Sequence, residues 1–365
     1  LETKKHFYWI DLLRFTSALL VVLAHYRGMF FVEYGLLPGS QKNIYTQFLF
    51  FLTRLGDEPV LVFFVLSGFL VGGKAIQRIL NNEVDIKSYL IDRFIRIFLP
   101  LLASSLLVII ISLITNSTIP ARDIIGSFFS LQGIITECNY NPPLWSLAYE
   151  VWFYILIGCL MVICRNDKRS SLFPFFAFTI CLYVFMRLKT MYLLVLLMGT
   201  FAFLLPRKHI SFVKTKILIL IGLLSFAVVL LQITSSSRSF TISNSGFINR
   251  DMASIFLAFV AALLIHHLIT VIPKTKVGIK IEAVSSKLSN FSYTLYLTHF
   301  PLMNLLSYLG FPKSGQINLA SAFYYVLAVL ISLVTAYSIY LISEKQTSLA
   351  KFWVREKIKK IGFVN

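Results

Sequence analysis

Read for polarity alone, the chain alternates long apolar runs with short connectors that are polar and mostly basic. The apolar runs cover about 8–30, 46–73, 91–115, 144–164, 172–187, 190–206, 216–234, 252–272, 287–310 and 319–342. A helix needs roughly 20 apolar residues to cross a bilayer core, and most of these runs supply them. Inside lipid each backbone N–H and C=O must find its partner within the protein, so runs of this length predict helices. The pattern predicts an all-α, polytopic integral membrane protein, a bundle of about ten transmembrane helices. The second run is interrupted by Arg54, Asp57, Glu58 and Pro59, and the short fifth and sixth meet at a tight basic turn, Arg187-Leu188-Lys189.

Composition and charge sharpen this picture. The chain has 365 residues, 57% of them hydrophobic, with a mean hydropathy of +0.78, which excludes an ordinary soluble domain. A net charge of +18 could suggest nucleic acid, but the Lys and Arg sit in short clusters between apolar runs. With ten spans, 25 of the 34 cations fall on the side of the termini and nine on the other. That excess predicts both termini cytoplasmic and no nucleic-acid partner. Spans recur from end to end, so one transmembrane domain is expected over 1–345, followed by a basic cytoplasmic tail over 346–365 lying at the inner headgroups. The first run is too long for a cleavable signal, carries Arg14 and has no small-residue cleavage site behind it. The outer loops at 116–143 and 235–250 are too small for separate domains, and no internal repeat of a transporter kind is visible. Cys138, Cys159, Cys164 and Cys181 lack metal-ligand spacing, and only Cys138 falls in an outer loop, so neither a metal nor a disulfide framework is expected. Motifs for nucleotide hydrolysis, dinucleotides and zinc are absent from the sequence.

Ionisable residues inside apolar runs are costly and point to function. Arg14 and His25 are eleven residues apart in the first run; at about 100° and 1.5 Å per residue they share one stripe, roughly 16 Å apart. Either they face a protein-lined cavity, or Arg14 pairs with Asp11 at the inner interface while His25 is a satisfied polar residue near the outer one. Arg93 and Arg96, at i and i+3, read as interface anchors or as a phosphate clamp. Ser67 and Gly68 suit close helix packing, or a cavity wall with a hydroxyl donor. Trp145 and Tyr149 fit an aromatic belt at the outer entrance of the fourth span. Glu150, two turns in, has no cation near it in sequence and is expected to orient His25, as the acid does in a triad. Tyr293, Tyr296 and His299 fall on one side of the ninth span, as a hydrogen-bonded polar seam or as a second catalytic or acceptor-binding group, whereas His266 and His267 read as structural.

Taken together, these stretches resemble the acyltransferase-3 family of membrane O-acyltransferases. The resemblance rests on Arg14 with His25, FVLSGFL at 64–70, Arg93-x-x-Arg96, PLWSLAYE at 143–150 and YTLYLTH at 293–299, all in the family's order over about 290 residues. Leu12 departs from the Gly that often follows the Asp. The resemblance implies acyl transfer, most commonly of acetyl from acetyl-CoA as co-substrate, to a hydroxyl of a surface glycan such as lipopolysaccharide O-antigen or capsule, in a bacterial inner membrane. On that reading His25 and Glu150 are catalytic, and Arg14, Arg93, Arg96 and Ser67 hold the donor. Trp145, Tyr149, Tyr296 and His299 would meet the acceptor. A small-molecule acceptor, or a glycan-lipid transporter or flippase, is the alternative. The expected partners are acyl-CoA, a glycan or glycolipid and membrane lipids.

Overall fold

A computed structural model describes residues 7–165, 172–206, 213–236, 249–271, 276–313 and 316–360. Most of the polar loop predicted at 235–250, and the cations at 4–5, 168–169, 207–208 and 274, lie outside the described residues. The described chain is helical: α1 (Tyr8–Phe30), α2 (Ile44–Thr53), α3 (Asp57–Ser67), α4 (Lys74–Leu80), α5 (Ile86–Thr115), α6 (Ala121–Phe128) and α7 (Trp145–Ile163). There follow α8 (Phe173–Arg187), α9 (Thr190–Leu204), α10 (Val213–Ser236), α11 (Arg250–Leu268), α12 (Lys276–Ser289), α13 (Ser292–Tyr308), α14 (Leu319–Ile342) and α15 (Thr347–Lys360). A six-residue π-helical segment, Gly68–Gly73, joins α3 to α4. Among the described residues the single β-type pairing is an isolated bridge between Gln132 and Thr136.

Seven described stretches are long and apolar enough to span a membrane, against the ten expected. The difference has a geometric source. Helices α8 and α9 have 15 residues each and meet at a 120° bend, so neither spans a bilayer by length alone. α13 has 17 residues and also falls short. The break expected in the second run is real: α2 ends at Thr53 and α3 starts at Asp57, with Pro59 in the first turn, where a missing N–H costs nothing. Its 18-residue apolar window is 72% buried, against 22% for α10, whose Leu218, Ile219 and Phe226 point outwards as lipid-facing side chains do.

The chain divides into two compact units. The first holds residues 1–17, 57–84 and 149–286. Its centre is the approach of α3 and the π segment to α9, made possible by two glycines. A Cβ on Gly68 would meet Leu196 O at 1.8 Å, and one on Gly199 would meet Val65 O at 2.0 Å. Thr200 Oγ1 reinforces the seam, donating to Gly68 O (3.2 Å) and Leu196 O (3.0 Å). An ion pair between Arg250 and Asp57 links α11 to α3.

The second unit holds residues 18–56, 85–148 and 287–365 and is built on α13, with α5 and α14 against it. Pro301 lies inside α13 and has no N–H to give Leu297 O, four residues back. Ser104 Oγ of α5 (2.9 Å) and Asn141 Nδ2 of the loop before α7 (3.0 Å) both donate to that carbonyl instead. The proline thus makes an acceptor that fixes two other segments onto α13. α15 packs on α5: Asp92 Oδ1 meets Lys351 Nζ at 3.3 Å and Arg355 Nη2 at 3.1 Å. The tail expected at the headgroups is therefore tied to α5 by a carboxylate.

Two outcomes check this architecture. Gly68→Ala forces a backbone apart and should destabilise by at least the roughly 1–3 kcal/mol typical of overpacking. Gly28→Ala, where a Cβ meets nothing within 4 Å, should not. Thermal melting of the detergent-solubilised variants reads the contrast, and equal melting would contradict the close seam. Ser104→Ala and Asn141→Ala should each be mild, while the double variant orphans Leu297 O and should lose about 1–3 kcal/mol beyond their sum. A strictly additive double-mutant cycle would contradict the shared-carbonyl account.

Candidate active site

In the second unit α1 and α13 bring two imidazoles together. His25 Nδ1 lies 3.0 Å from Val21 O, one turn back in its own helix, and 3.2 Å from His299 Nε2. The ring centroids are 5.1 Å apart. His299 Nδ1 lies 2.8 Å from Tyr296 O and 3.3 Å from Leu295 O. A carbonyl oxygen only accepts, so His299 Nδ1–H donates to Tyr296 O, and the neutral ring turns its Nε2 lone pair towards His25. His25 Nδ1 then faces two acceptors, Val21 O and His299 Nε2, and carries a hydrogen itself. The lone pair of neutral His25 is left on Nε2, the nitrogen a general base would use.

The surroundings hold this pair in place. His299 is completely buried, while His25 is half-buried with the ring of Phe300 edge-on at 5.8 Å. Tyr26 OH donates to His299 O (3.3 Å) and accepts from Ser332 Oγ (2.5 Å), connecting α1, α13 and α14. Tyr296 OH donates to Pro143 O (2.6 Å) and meets Ser146 Oγ at 2.8 Å, which fixes the start of α7 and with it half-buried Trp145. Of the two α13 residues expected at the acceptor, His299 therefore stands behind His25, and the hydroxyl of Tyr296 is engaged in joining segments.

The first unit holds the expected carboxylate. Glu150 Oε1 accepts from Ser67 Oγ (2.6 Å) and from Tyr154 OH, and the two hydroxyls are themselves 2.9 Å apart. Ser67 is the last residue of α3, directly before the π segment, a kind of helix irregularity frequent at functional sites. Two hydroxyl donors give Glu150 the partners its depth demands. They are two hydroxyls, and its expected service to His25 rests on the sequence reading alone. Tyr149 is buried among aromatic rings, with Tyr192 at 4.7 Å, Phe64 at 5.8 Å and Phe185 at 6.2 Å. Arg14, on the first half of α1, is half-buried in this unit.

Arg93 and Arg96 lie half-buried one turn apart on α5 in the second unit, beside Asp92. The positive field of both reaches Lys351 of α15. Sequence reading did not foresee Lys351, because its neighbours are about 250 residues away in the chain. It also passed over Tyr154, although the i, i+4 spacing from Glu150 was a usable signal, and Tyr26, which follows His25 directly.

No curated protein and no solved structure matches the chain significantly. The family model described as an acyltransferase domain, Acyl_transf_3, matches residues 7–341, nearly the whole length. With its apolar helices and its paired imidazoles, the chain thus belongs to the acyltransferase-3 family, whose members are membrane proteins that transfer acyl groups to a carbohydrate or similar acceptor.

Proposed function

We propose that the protein is a multi-pass O-acyltransferase of a bacterial inner membrane. It takes an acyl group, most simply acetyl, from cytoplasmic acyl-CoA and places it on a hydroxyl of a surface glycan. The observation that carries this is the His25–His299 pair, which leaves His25 Nε2 as the basic nitrogen in a half-buried position. The topology that goes with it is ten membrane passages with cytoplasmic termini, in which α8, α9 and α13 are three short passes beside the seven long stretches.

In the proposed reaction, His25 Nε2 takes the proton of the acceptor hydroxyl as its oxygen attacks the thioester carbonyl carbon. The tetrahedral intermediate collapses with cleavage of the C–S bond, and the imidazolium returns the proton to the leaving thiolate. Throughout, Val21 O and His299 Nε2 hold the Nδ1–H of His25 and favour its transient positive charge, the part the third member of a triad plays. Arg93 and Arg96, with Lys351 beside them, supply the cations for the phosphates of coenzyme A. Arg14 is a further cation for the donor on the strength of the sequence. Ser67 and Glu150 form a hydroxyl–carboxylate group in the first unit, with Tyr154 OH close to both.

Purified protein with labelled acetyl-CoA and a glycan acceptor tests this. His25→Ala should lower transfer by at least about 10²-fold, the usual contribution of a general base, with expression unchanged. His299→Gln should lower kcat while leaving the KM for acyl-CoA unaltered, since it acts through His25. Wild-type transfer by His25→Ala would remove that residue from the mechanism. Arg93→Ala should raise the KM for acyl-CoA about tenfold, as loss of a charge-assisted hydrogen bond does, at near-normal kcat. An unchanged KM would make Arg93 an interface anchor.

A further inference from the structure

The second unit contains a cavity of about 510 Å³ that no step above uses. It lies where α5 ends. Asn116 adopts a left-handed conformation (φ 50°), the chain folds back so that Ser117 N donates to Ser112 O (3.0 Å), and Ser112 Oγ donates to Ser117 O. The opposite wall is the second half of α13, from Pro301 to Tyr308, with Tyr140 of the loop before α7 between them. Pro301 is two residues beyond His299, and Asn304 is five beyond it, a rise of roughly 7.5 Å along the same helix. Along the helix axis these residues begin within about one turn of His299, while at 100° per residue their side chains leave α13 on other faces than the imidazole.

Its lining has a definite chemistry. Eight of the twelve lining residues carry a hydroxyl or an amide, and none carries a charge. Thr115 Oγ1 donates to Ile111 O at 2.9 Å and stands 2.9 Å from Ser117 Oγ, so these hydroxyls retain lone pairs towards the space. Asn304 gives one N–H to Tyr140 O at 3.4 Å, which leaves its amide oxygen as an acceptor. Burial pushes the Tyr140 phenol up, keeping it a neutral hydroxyl. Tyr308 is half exposed and offers an aromatic face. A phosphate or carboxylate ligand would call for Lys or Arg, and an acyl chain would call for a continuous apolar wall. A neutral, hydroxyl-dense space with phenol rings, inside the range of about 300–1,000 Å³ usual for ligand sites, suits a ligand with many hydroxyls and exposed C–H faces.

We infer that this cavity is a subsite for an uncharged sugar unit, formed by Ser112, Thr115, Ser117, Tyr140, Asn304 and Tyr308. The inference rests on the acyl-transfer reading for its purpose, since the sugar held there would belong to the acceptor glycan. As a binding statement it is tested separately.

The test uses full-length protein in lipid nanodiscs, without acyl-CoA. Methyl glycosides of glucose, galactose and N-acetylglucosamine, and short oligomers of each, are the probes in saturation-transfer NMR. At least one should receive saturation from the wild type. The Asn304→Ala/Tyr308→Ala double variant and, separately, Ser307→Trp, which fills the space, should weaken binding about tenfold or more. Binding of acetyl-CoA, read by isothermal titration calorimetry, should be unchanged in both variants. Sugar binding lost in the variants but no acetyl-CoA binding by the wild type would uphold the subsite and sink the acyl-transfer reading. Acetyl-CoA binding with no bound sugar, or with sugar binding equal in wild type and both variants, would sink the subsite and leave the enzyme standing.

Discussion

A carbonyl oxygen can accept a hydrogen bond but never donate one, and this one-sidedness decides what the imidazoles of the second unit can do. Tyr296 O claims the hydrogen on His299 Nδ1, so the other nitrogen of that ring is an acceptor. Val21 O and His299 Nε2 together claim the hydrogen on His25 Nδ1. The basic nitrogen is consequently set by backbone geometry two steps away. Other bonds tie the same helix to its neighbours: Tyr26 joins His299 O and Ser332 across three helices, and Ser104 and Asn141 bind the Leu297 carbonyl that Pro301 leaves open.

The same accounting explains why polar residues are tolerated in so apolar a chain. Each functional side chain described is held by a partner close in depth. Glu150 has two hydroxyls, Asp92 has Lys351 and Arg355, and Tyr296 has Pro143 and Ser146. Groups satisfied in this way are held in one arrangement, which is what a preorganised site requires. The arrangement around Asp92 gathers more cations than one carboxylate neutralises, which is the condition for binding an anionic ligand.

Much of this was legible in the chain, and for stated reasons. The helical, membrane-spanning character follows from the length of the apolar runs, and the break before Asp57 follows from its charges and Pro59. The family was carried by motifs in order, each weak alone. The closeness of Gly68 to another backbone was suggested by small size, but its partner at Gly199 could not be read, since nothing local marks which distant helix is met. The polar seam on α13 was legible from its spacing, but the neighbour of His299 was not, since His25 lies 274 residues away and only the fold shows the two rings together. Hydropathy marks α8, α9 and α13 as apolar runs, but it shows neither that each is only 15 to 17 residues long nor that the first two meet at a 120° bend.

The most direct test of the account is the tautomer of His25. Solid-state ¹⁵N NMR of protein with labelled histidine, reconstituted in bilayers and assigned by the His25→Ala and His299→Gln spectra, distinguishes the two ring nitrogens. The account predicts a neutral His25 with its hydrogen on Nδ1, an unprotonated Nε2, and through-space correlation with the His299 ring. A hydrogen on Nε2 with a bare Nδ1, or no correlation between the two rings, would contradict it.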